Sequence, residues 1–118
     1  MQYMLLIYGD PAGGPAEGTP EANAEMQQWF TYTQGLEDDG SYVAGNALLP
    51  IDQATTVRVR DGQDIVTDGP FAETKEWLGG YYVVDVPDLN AALERAKRMP
   101  NIAHGTVEVR PVMEIPAQ

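Results

Sequence analysis

The residues best equipped for chemistry lie in one stretch, Asp68-Gly69-Pro70-Phe71-Ala72-Glu73-Thr74-Lys75-Glu76. Gly69 reaches backbone angles closed to other residues, and Pro70 fixes its own φ and removes a donor. Together they predict a rigid corner, entered by a carboxylate and left by an aromatic ring. Two readings of Asp68 stand. As a carboxylate aimed into a cleft, it would act as a general base or ligand anchor. As the first residue of an Asx-type turn, it would bind the backbone amides of the corner. Phe71 would shape the wall of an apolar pocket. Glu73 and Lys75 would contact a polar ligand or form solvated ion pairs, worth about 0–1 kcal/mol each.

Other candidates lie further off. His104, the single histidine, would exchange protons with Asp68 or else pack a loop before the last strand. Arg58 and Arg60 share a strand face. Either could grip a carboxylate or phosphate bidentately, or pair with Asp64, Asp68 or Glu108 on neighbouring strands. Glu73 and Glu76, spaced i, i+3, are a weak signal for a hard cation in so acidic a chain, and no metal site is assigned. The chain has no cysteine, so thiol nucleophiles and disulfides are excluded. No two-histidine metal centre fits within one chain. No Ser–His–Asp order, phosphate-binding glycine loop or dinucleotide fingerprint occurs, and no cofactor is expected. The chemistry left is proton transfer or isomerisation.

These groups need a scaffold. Tyr3–Tyr8 is a short apolar run that predicts a buried strand. Asp10–Gly18 reads as a loop. Thr19 and Pro20 predict a helix start, and Ala22, Met26, Trp29, Phe30, Thr33 and Leu36 recur on one helical face. Gly40 predicts its end. Glu37, Asp38 and Asp39 oppose the dipole there, and no local residue offsets them. Strands are expected over 42–49, 55–60, 64–67, 81–86 and 106–113. Asp61-Gly62 is a tight hairpin turn. One helical turn is expected over Thr74–Leu78, ended by Gly79-Gly80. A second helix is expected over 88–99, with Glu94 and Arg98 as an i, i+4 pair. The order strand, helix, strand, inserted hairpin, strand, helix, strand is the split βαβ pattern of ferredoxin-like α+β domains. Each helix has one apolar face, so both would cover one side of the sheet. The other side would be left apolar and uncovered, which predicts a homodimer.

The 118 residues make a single domain over 1–118. The net charge of −11 argues against nucleic acid and anionic membrane surfaces as partners. No run of residues is apolar enough to span a membrane, and the N-terminus lacks a basic leader, so a cytoplasmic location is expected.

The segments 3–10 (YMLLIYGD), 43–48 (VAGNAL), 55–62 (TTVRVRDG), 66–76 (VTDGPFAETKE), 78–89 (LGGYYVVDVPDL) and 107–113 (VEVRPVM) resemble the DGPF, or YCII-related, family over nearly the whole chain. The resemblance implies a ferredoxin-like domain that dimerises through its sheets into an α+β barrel. It also implies a genomic setting beside extracytoplasmic-function sigma factors. The broader group's proposed His–Asp pair, with histidine near the start of the first helix, does not carry over. That region here reads Pro20-Glu21-Ala22-Asn23. The expected function is therefore a homodimer that binds a small organic molecule, with Asp68 as polar anchor or base. The alternative is a non-catalytic regulatory module, associated with a sigma factor and docked through Phe71.

Overall fold

The computed structural model describes residues 1–10 and 14–117. Positions 11–13 of the expected loop and position 118 of the tail lie outside the described residues. Six strands and two α-helices follow in the order β1 (Gln2–Gly9), α1 (Pro20–Asp38), β2 (Tyr42–Ala47), β3 (Thr55–Arg60), β4 (Gln63–Asp68), β5 (Trp77–Asp85), α2 (Leu89–Lys97) and β6 (Gly105–Pro111). A 3₁₀ turn at Ile51–Gln53 precedes β3. The architecture is mixed α+β, and every strand pairing is antiparallel.

Four strands form one sheet in the order β2-β5-β1-β6, while β3 and β4 pair only with each other. The larger sheet keeps two free edges, β2 and β6, so one chain closes no barrel. Tyr3, Leu5 and Val84 point to the face where Leu36 of α1, Ala92 of α2 and Met99 complete the core. Both helices thus cover the same side. The alternate residues Met4, Leu6, Tyr81 and Val83 lie on the opposite face by strand periodicity and register. All four are half-buried.

Local chemistry sets the helix ends. Thr19 Oγ1 accepts from Ala22 N and Asp88 Oδ1 accepts from Ala91 N, satisfying donors that a helix start leaves unpaired. At the other end of α1, Gly40 follows the cap with a φ of 78°. Asp39 is compensated across the fold. Its carboxylate accepts from Ser41 N and pairs with Arg95 Nη2 at 3.2 Å. The Ser41 hydrogen bond holds its carboxyl below the usual range, assisted by Arg95. Tyr32 OH donates to Arg95 O, so α1 and α2 are joined twice through Arg95. The Glu94–Arg98 ion pair does not form; Arg98 Nε reaches the Glu94 carbonyl instead.

Three further expectations change. Trp77 and Leu78 begin β5 rather than closing a helical turn, and Gly79-Gly80 run inside the strand. Pairing with β1 shifts between Ile7 and Tyr8, a bulge that takes up Gly79. A Cβ at Gly80 would come within 2.8 Å of Asn46 O, so glycine here serves strand approach. Phe30 is not core: it is 61% exposed. Met26 is likewise exposed, because only the C-terminal half of α1 seats its apolar face on the sheet, through Leu36.

Candidate functional site

The β3–β4 hairpin projects as an arm. Thr55, Val57, Val59, Asp64, Val66 and Asp68 share one of its faces by register. Val57 and Val66 are each 65% exposed. Among the described residues, side chains of the arm bond only to the arm itself and to the corner at its root. Backbone bonds hold the corner at the root of the arm. Gly69 adopts a φ of 95°, its N–H donates to Ala54 O at 2.7 Å, and its carbonyl accepts from Thr56 Oγ1 at 2.7 Å.

Asp68 closes β4 beside this corner and is exposed. Its carboxylate has no hydrogen-bond or ion-pair partner among the described residues, so the Asx-turn arrangement is not formed. It also lies outside the cavity described below. Phe71 is 78% exposed. Glu73 and Lys75 are exposed in the following bends. Arg58 Nη2 approaches the Phe71 carbonyl at 3.4 Å. The structure therefore brings Arg58 to the Phe71 backbone, leaves Asp68 on the opposite face of the arm, and leaves His104 elsewhere.

His104 stands at a different hollow. Between the N-terminal half of α1 and the sheet lies a cavity of about 700 Å³, open to solvent. It is of ligand size. Ala22, Met26 and Trp29 form its roof, and Ile7, Gly45 and Tyr82 contribute its floor. Trp77 and Leu48, from the two ends of the segment carrying the arm, close one side. Asn101 and His104, from the turn before β6, close another.

The wall is aromatic and held in place. Trp29 stacks on Tyr82 with ring centroids 6.4 Å apart. Tyr32 and Tyr42 meet Tyr82 edge to face. The Tyr82 hydroxyl and Thr33 Oγ1 are 2.5 Å apart. Burial pushes the Tyr82 phenol above its usual range, the Thr33 hydrogen bond working against it. A Cβ on Gly45 would strike the Tyr82 ring at 2.8 Å. That glycine lets the ring lie across β2.

Among the polar residues lining this surface are Glu25, Asn101 and His104. His104 Nε2 is 3.8 Å from Glu25 Oε2, close enough to feel its charge but too far for a hydrogen bond. Asn101 is 6% exposed; its Nδ2 donates to Tyr8 O, while its buried Oδ1 has no partner. The arrangement can hold an apolar body, offer it acceptors, and exchange a proton at an imidazole. No group of three or more His, Asp or Glu among the described residues is placed to hold a metal.

Glu25 and Asn101 were not singled out from the sequence. Glu25 did leave a signal, since it lies three residues after Ala22 and four before Trp29. It is thus an ionisable residue on the apolar stripe of α1. Asn101 left none.

Comparison with known proteins places the chain. An uncharacterised protein of Rhizobium meliloti (strain 1021) is 35% identical to it over 114 residues, covering 95% of this chain and 92% of the relative. The family model of the YCII-related domain matches residues 1–116. This chain, with its two-helix α+β fold, belongs to the YCII-related domain family.

Proposed function

We propose that the protein is a homodimeric small-molecule-binding domain, with the cavity beneath α1 as its ligand site and His104 as its proton-exchanging group. The observation that carries this reading is the cavity itself: about 700 Å³, aromatic-walled, with an imidazole beside a carboxylate at its edge. An imidazole is the side chain suited to giving and taking protons near neutral pH. This supports proton transfer or isomerisation as the reaction class, with the polar anchor moved from Asp68 to His104 and Glu25.

The strand order and the common side of the helices support a ferredoxin-like topology with β3–β4 inserted. Surface area supports the dimer. A compact monomer of 12.9 kDa exposes about 6,300 Å². This protomer exposes 8502 Å², an excess of about 2,200 Å² over that figure. The radius of gyration, 16.5 Å, likewise exceeds the ~13.5 Å of a compact chain this long. The excess is what an obligate dimer interface would cover. A lone two-stranded hairpin is also marginal in water, so the arm and the open sheet face need a cover. In this reading, the second copy supplies it, and Asp68 acts within the dimer rather than in its own protomer's cavity.

A small-molecule screen by native mass spectrometry tests the site, run on the wild type and on a cavity-filling Ala22→Trp variant. Compounds held by the wild type and lost from the folded variant support it. Retention of every bound compound by Ala22→Trp rules the cavity out. A second reading draws on the exposure of Phe71 and of the arm valines. There the arm docks on a different protein, such as an extracytoplasmic-function sigma factor. A wild type that is monomeric in solution favours that reading over the homodimer.

A further inference from the structure

The charge around the cavity specifies a ligand class. Among its described lining residues there is no lysine or arginine, while Asp10 and Glu25 both contribute to it. Trp29, Phe30, Tyr42, Trp77 and Tyr82 supply π-faces and edges. Glu25 is not hydrogen-bonded to His104 at 3.8 Å. The whole chain carries a net charge of −11, and a cleft lined by one sign of charge concentrates counter-ions.

Resting on the reading of the cavity as the ligand site, we propose that its ligand is a protonated organic amine with an apolar or aromatic body. The ammonium group donates to the carboxylate of Glu25 at the cavity edge. The rings provide cation–π contact and an apolar bed for the rest of the molecule. Organic acids and phosphorylated metabolites are excluded by the same field. Among the described lining residues there is no lysine or arginine to receive them.

Three probes of one shape isolate the charge: 2-phenylethylammonium, the neutral 2-phenylethanol and the anionic 3-phenylpropanoate. Binding is followed by the fluorescence of Trp29 and Trp77, and by calorimetry, at low and high salt. The ammonium compound should bind about tenfold more tightly than the alcohol, with the preference shrinking as salt rises. In Glu25→Gln the preference should fall severalfold while affinity for the alcohol is unchanged, a pattern that damage to the fold would not give. Equal or tighter binding of the alcohol or the acid overturns the amine assignment and leaves the cavity as a ligand site. Failure of all three probes to bind overturns the assignment together with the cavity reading on which it rests.

Discussion

Replacing Leu6 with glutamate tests the dimer most sharply. Leu6 lies mid-strand in β1, opposite Tyr81 of β5 and Glu108 of β6. It is therefore central to the face that neither helix covers. In a lone protomer the new carboxylate would reach water, because this position is only half-buried. In a dimer closed over this face it would be trapped beside Met4, Tyr81 and the like-charged Glu108, and a second charge would enter from the other copy. An uncompensated charge buried in this way costs about 3–5 kcal/mol. Each 1.4 kcal/mol is about tenfold in affinity, so the dissociation constant should rise by roughly two to four orders of magnitude. Light scattering coupled to size exclusion, over a dilution series, measures this. Circular dichroism checks that the protomer remains folded. The expected result is a wild type at twice the mass of the 12.9 kDa chain, and a folded variant at the single-chain mass. A variant that dimerises as tightly as the wild type would refute the claim that this face is the interface. A wild type that never exceeds the single-chain mass would refute the dimer.

Two more outcomes follow from particular side chains. Burial, aided by Tyr82, pushes the Tyr32 phenol above its ordinary value of 10.0. A group whose pKa is raised on folding lends stability that is whole below the unfolded value and drains away as pH climbs past it. Thermal or urea melts should therefore show a loss beginning near pH 10, on the order of 1 kcal/mol per group for each pH unit, given partial exposure. Tyr32→Phe should flatten that decline, and an unchanged slope would exclude Tyr32 as its source. Asp68→Asn should leave protomer stability within about 0.5 kcal/mol, because the exposed carboxylate has no hydrogen-bond or ion-pair partner among the described residues. A larger loss, with dimer and monomer measured separately, would show that the carboxylate braces the corner after all.

Local signals in the chain were read well because their physics is local. Thr19 and Asp88 cap helices through donors three residues away. Asp61-Gly62 turns the hairpin with both residues at positive φ. Gly69 makes the DGPF corner for the same reason. Apolar alternation placed β1 and β3 within a residue of their ends. One error occurs where a neighbouring strand overrode local preference. Thr74–Leu78 resembles a helical turn, yet Trp77 and Leu78 pair with Gly9 and Tyr8, and that ladder wins.

What the sequence alone determined is the inventory: an acidic, cysteine-free chain, two capped helices, an inserted hairpin and a Gly-Pro corner after Asp68. The helix caps and the hairpin turn follow from residues a few positions apart. Tertiary structure decided which residues share a hollow. Glu25 on α1 and His104 before β6 are far apart in the chain. They meet because the cavity between α1 and the sheet has both at its edge. The same packing left the arm outside its own core. Asp68 and Phe71 stand at its root, and His104 is left with Glu25 instead.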